Sequence, residues 1–218
     1  ETEAFVAAAH APAQAVGLRS LLRDHARAVL VCFGLVLSST IMFYVVMIYM
    51  PTYAKTQLHM PLNDAFTAQV TGLVCLTALI PLFGSLSDRI GRRPVLMAAA
   101  ALYFVLPYPL LAWVLAEPTV IRLALMQVAL CSAIAVGFGA ISTALAEQFP
   151  VRQRSTGLAL AYNIAVMLFG GFAQLIVTWL ISATGTPLAP SFYVMFGAVV
   201  GFVAAAFIAD RHRQQDLH

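Results

Sequence analysis

Six apolar runs, strung between short loops that are alternately basic and almost uncharged, dominate this chain. They fall at about 28–49, 66–86, 94–115, 119–146, 155–182 and 190–209. A helix needs roughly 20 apolar residues to cross a bilayer, and several of these runs approach or exceed that length, which a buried soluble core does not require. Composition agrees: 61% of residues are hydrophobic and 10% are charged, whereas a soluble domain carries about 25% charge. The expected fold class is an all-α membrane protein with six transmembrane helices.

The arginines set the topology. Arg19, Arg23, Arg27, Arg89, Arg92, Arg93, Arg152, Arg154, Arg211 and Arg213 all fall on one side of six alternating crossings. Only Lys55 and Arg122 fall on the other. Basic short loops stay cytoplasmic, so both ends of the segment are expected there. Residues 1–27 then form a polar cytoplasmic linker ending in a short amphipathic helix around Leu18–Arg27, and 210–218 form a basic cytoplasmic tail. The linker lacks the basic-then-apolar pattern of a signal peptide. The net charge of +3 is dispersed between the apolar runs rather than gathered into one field, which argues against nucleic acid as a partner. Cys32, Cys75 and Cys131 sit inside the runs, where cysteine behaves as a small apolar group; their spacing suggests no metal site.

Between the second and third runs stands GSLSDRIGRRP, residues 84–94. Gly84 and Gly91 permit a close helix approach and a sharp reversal, Asp88 can balance an arginine near a helix terminus, and Arg89, Arg92 and Arg93 hold the loop at the membrane surface. By itself this is also how a plain basic anchoring loop reads. The segment resembles the loop motif G-x-x-x-D-R-x-G-R-R of the major facilitator superfamily, with Gly84, Asp88, Arg89, Gly91, Arg92 and Arg93 all matching. A narrower resemblance, to the metabolite:proton symporters for proline/betaine, citrate, oxoglutarate and shikimate, lies in residues 43–60, 147–171 and 184–197. The polar lead-in resembles the central cytoplasmic linker of that fold. The resemblance therefore implies the C-terminal half of a twelve-helix carrier, helices seven to twelve, whose partner is an N-terminal six-helix half that Asp88 would face.

Polar groups inside lipid are costly and usually face protein or a cavity. In the resembled fold the first, second, fourth and fifth of these helices border the cavity, which makes Tyr44, Gln127, Asn163 and Gln174 substrate-path candidates. Interhelical hydrogen bonding is the competing reading for each. Asn163 and Gln174 are eleven residues apart, about three turns, so one helix face is expected to carry both. Arg122 could attract a carboxylate or could snorkel to the outer interface. Glu147 is expected to pair with Arg152 or Arg154 and stabilise a cytoplasmic gate.

The resemblance implies a secondary symporter that imports a small organic acid or zwitterionic osmolyte by alternating access. It implies the proton as coupling ion, no other cofactor, membrane lipid as surroundings and a small-molecule substrate. An exporter of the same superfamily and a non-transporting truncated fragment are the alternatives. A membrane-embedded enzyme would need clustered His, Asp, Glu or Cys at the membrane surface, and the chain carries no such cluster and no zinc or phosphate-loop motif.

Overall fold

The structure, a computed structural model, describes residues 23, 25–150 and 153–208. Most of the segment Leu18–Arg27, the tail 210–218 and Arg152 lie outside them. Six helices are long and apolar enough to cross a membrane: α1 (Ala26–Thr56), α2 (Leu62–Ile90), α3 (Arg92–Ala116), α4 (Val120–Glu147), α5 (Arg154–Thr184) and α6 (Ala189–Ala206). No strand occurs among the described residues.

Where the helices deviate from regularity, the sequence supplies the cause. α1 widens into a π-helical stretch at Tyr44–Tyr49 and resumes as α-helix at Met50. The sequence reading ends this span at Tyr49, before Pro51, yet the helix runs on to Thr56. Pro51 stands in the first turn of the resumed segment, so the carbonyls a turn before it go without its N–H. α3 is interrupted at Leu106 and restarts with Pro107. α5 carries a second π-helical stretch at Val166–Gly171. Thr119 caps α4, its hydroxyl accepting from the Arg122 N–H at 3.3 Å. Gly91, at φ 97°, makes the reversal between α2 and α3, a conformation that side chains with a Cβ rarely adopt.

The six helices form two triplets with matching contacts. α2 packs along α4 as α5 packs along α1; α3 packs on α4 as α6 packs on α1; and α3 meets α6. α1 and α4 run in opposite directions, so the triplets are related as inverted repeats. Burial follows the same pairing. In their most apolar windows α1 and α4 are 78% and 56% buried, whereas α2 and α5 are 17% and 22% buried. α1 is the hub, holding Ile41, Met42, Val46 and Tyr53 out of reach of solvent. Its Ile41 and Ser38 press against Gly197 and Gly201 of α6, so the GxxxG pair lies at a helix crossing. Cys32 and Cys131 are buried, Cys75 is partly buried, and all three are free thiols.

Candidate functional site

The α2–α4 contact is a parallel seam that joins two polar clusters. Midway along its arginine-rich half the backbones come together: a Cβ on Gly139 would lie 2.6 Å from the Gly84 nitrogen and 2.8 Å from the Phe83 carbonyl carbon. Gly84 lies at this approach, but a Cβ there would meet only the Gly139 carbonyl oxygen at 3.5 Å, an ordinary contact; Gly139, which the sequence reading did not single out, is the position that the approach depends on.

At the arginine-rich end of the seam, Gly91 turns the chain so that Arg92 opens α3 beside the end of α2. Arg92 donates through Nη1 to the Ser87 carbonyl at 2.7 Å, which also accepts from the Gly91 N–H at 3.0 Å. Its Nη2 meets Asp88 Oδ1 at 2.7 Å, and its Nε stands 3.5 Å from Glu147 Oε1 at the end of α4. The Arg92 side chain is 12% exposed, against 67% for Asp88 and 35% for Glu147. One guanidinium therefore ties three helix ends together. Among the described residues Glu147 meets Arg92 and no ion pair to Arg154 is formed, because the end of α4 lies against the α2–α3 turn; the expected pairing with Arg152 falls outside the described residues. Arg154 instead opens α5. Arg89 is exposed and Arg93 partly so. The α4–α5 connection is pinned separately by Phe149, fully buried against Gly157 of α5.

The second cluster lies in the half of the seam away from the arginine-rich end and consists of amides. Pro51 has no N–H to offer the carbonyls one turn before it, and the π-helical stretch leaves that turn wide. Two glutamines supply the missing donors. Gln69 of α2 donates to the Met47 carbonyl at 2.8 Å. Gln127 of α4, 1% exposed, donates to the Val46 carbonyl at 3.2 Å and to Gln69 Oε1 at 2.8 Å. Gln127 Oε1 is buried with no hydrogen-bond partner among the described residues. Cys131 Sγ lies 3.5 Å from Met47 Sδ at the same spot. The sequence reading chose Gln127 but missed Gln69; the available signal was a glutamine in an apolar run following a helix with a proline in its last turns.

The remaining candidates are scattered. Tyr44 opens the π-helical stretch of α1 and covers Gly170 in that of α5. Asn163 and Gln174 are both exposed, and Asn163 Nδ2 donates to Ala159 O at 2.7 Å. A π-helical stretch, Val166–Gly171, lies between Asn163 and Gln174. Arg122 is removed from the seam. It pairs with Glu117, donates to the Trp113 carbonyl at 3.2 Å and stacks over the Trp113 ring at 5.2 Å, which makes it an anchor of the α3–α4 turn. Among the described residues no group of three or more His, Cys, Asp or Glu could hold a metal ion. The arrangement offers amide, hydroxyl and phenol groups for reversible hydrogen bonding, plus one releasable ionic tie.

Comparison with known proteins accords with this geometry. The family described as Major Facilitator Superfamily matches residues 32–217. The citrate-proton symporter of Salmonella typhi is 33% identical over 213 residues, 97% of this chain and 48% of that protein. The ectoine/proline transporter of Corynebacterium glutamicum is 32% identical, covering 91% of this chain and 39% of its own length. The proline/betaine transporter of Escherichia coli is 30% identical, with 89% and 39% covered. The chain thus spans about half or less of the length of these relatives, as one half of such a fold does. No solved structure matches significantly. These relatives are transporters, not enzymes, and the chain belongs to the major facilitator superfamily as a multi-pass bacterial membrane protein.

Proposed function

We propose that this major facilitator superfamily chain is the C-terminal six-helix half of a proton-coupled symporter that imports a small organic acid or zwitterionic osmolyte. The observation that carries the reading is the uneven burial of the bundle. α2 and α5 are 17% and 22% buried while α1, the hub between them, is 78% buried. Asn163, Gln174 and Tyr162 all lie on exposed parts of α5. Polar side chains inside a span suit a protein or water-lined surface better than lipid, so a second six-helix half is the expected cover for the α2 and α5 faces. The substrate then meets Tyr44, Asn163 and Gln174 between the halves, while Gln127 holds the π-helical stretch of α1 beside that path.

The Arg92 cluster is the natural latch. It lies at one end of the seam, ties α2, α3 and α4 through a single side chain, and keeps Asp88 largely exposed toward whatever covers α2. Rocking the halves about a central site would make and break contacts at this end. The bias of basic residues orients it toward the cytoplasm, which also places both termini of the segment on that side of a bacterial inner membrane. Named relatives carry citrate with protons or carry proline and betaine, which supports both substrate classes and the proton as coupling ion.

The test is substrate-driven proton entry into proteoliposomes that hold a pH dye and the full-length carrier. Citrate, oxoglutarate, shikimate, proline and betaine are supplied outside in turn. Internal acidification with one of them, abolished by a protonophore, is the expected result. Acidification with none of them, in a preparation shown to be folded, would overturn the symporter reading.

A further inference from the structure

The outer face of α6 differs from those of α2 and α5. Its exposed residues Phe192, Phe196, Val199, Val203 and Phe207 follow one another at three- and four-residue steps, the spacing of a single stripe, and α6 contains no charged residue. Such a face sits in hydrocarbon. Beside the stripe, between the start of α1 and the end of α6, runs an open groove of about 720 Å³ whose lining includes Leu30, Phe33, Gly34, Val200 and Val203. Every one of those five is apolar, yet the groove ends on an arginine. Arg27 closes it at the arginine-rich end of the bundle, its guanidinium 5.9 Å from the Phe207 ring centroid and its Nη2 3.5 Å from the Phe207 carbonyl. No carboxylate pairs with Arg27 among the described residues. Arg23, four residues earlier, is exposed as well.

We propose that this groove binds one anionic phospholipid, with an acyl chain along Leu30, Phe33 and Val200 and the phosphate on Arg27. Both parts of the match are physical. An apolar channel on a lipid-facing surface excludes water and leaves hydrocarbon as its occupant. A guanidinium at the level of the headgroups offers forked donors to a phosphate, while its own methylene stem lies along the apolar wall. A basic residue near an anionic leaflet strengthens attachment by roughly 1 kcal/mol, or about fivefold. The bound lipid would brace α1, the most buried helix, against α6 at the end where the Arg92 cluster opens and closes.

The experiment is native mass spectrometry of the full-length protein in neutral detergent, offered phosphatidylglycerol or phosphatidylcholine with identical acyl chains. Wild type is expected to retain phosphatidylglycerol about fivefold better than phosphatidylcholine. Arg27→Gln should erase that preference and Arg27→Lys should keep most of it. Leu30→Trp, which narrows the groove at an exposed position, should reduce retention of both lipids. The readout is binding, so it succeeds or fails independently of any transport activity. An unchanged preference in Arg27→Gln would overturn the proposal. So would displacement of the lipid by millimolar glycerol phosphate, because a site that holds the headgroup alone is an anion site and not a lipid groove.

Discussion

The two polar clusters on the α2–α4 seam are made of opposite materials. At the arginine-rich end, a guanidinium meets two carboxylates and a helix-end carbonyl, with solvent at hand: Asp88 is 67% exposed. In the opposite half, two neutral amides meet each other and two backbone carbonyls, with Gln127 1% exposed. The difference follows from environment. Charges beside water can separate cheaply, because solvent takes up each partner. Buried amides cannot, because the carbonyls they leave behind find no water in the bundle. The first arrangement suits a tie that opens during a cycle, the second a joint that stays closed and keeps the bend of α1 in place.

The comparison depends on the seam itself, so the largest effect is expected where the two helices touch. Gly139→Leu drives a side chain into the backbone of α2 at Phe83 and Gly84. It should cost about 3 kcal/mol or prevent assembly, read as a collapse in melting temperature or in monodisperse yield. Next is Gln127→Leu, which strands the Val46 carbonyl and Gln69 Oε1. A loss of about 2 kcal/mol is expected. The double variant Gln69→Leu/Gln127→Leu should lose less than the sum of the two single variants, because they share a hydrogen bond. Additive losses would argue against a joint.

Arg92→Gln sharpens the contrast from the other side. Its partners are partly or largely exposed, so the stability loss should stay near 1 kcal/mol and shrink at high salt. Uptake should nevertheless fall about tenfold, the size of an ordinary coupling between conformational states. The smallest effect belongs to Arg122→Gln. It breaks only the Glu117 pair and the Trp113 contacts, so stability should change by less than about 1 kcal/mol and substrate affinity should not change. A large loss of affinity would return Arg122 to the substrate path.

The sequence made some of this legible and hid the rest for identifiable reasons. Six apolar runs announce six helices, because bilayer thickness imposes its length on the chain. The 84–94 loop announces its reversal through Gly91 and its ionic tie through Asp88 and Arg92. That Arg92 reaches Glu147 was hidden, since the meeting of the α2–α3 turn with the end of α4 depends on packing and not on proximity in the chain. Gln69 was hidden because its purpose lies in α1, in carbonyls that Pro51 leaves unmatched. The π-helical stretch between Asn163 and Gln174 left no obvious mark in composition; the Gly170–Gly171 pair within it was the hint. Arg122 illustrates a further limit: its charge was legible, but the Trp113 ring and Glu117 that claim it come from the neighbouring turn.

The most direct test of latch against joint is hydrogen–deuterium exchange of the full-length carrier, with and without transported substrate. The α2–α3 turn around Ser87–Arg92 should change its exchange rate on substrate addition, while residues 44–51 of α1, held by Gln69 and Gln127, should remain equally protected in both states. Deprotection of 44–51 with an unchanged α2–α3 turn would contradict the assignment, and would make the amide cluster the moving part and the Arg92 cluster the fixed one.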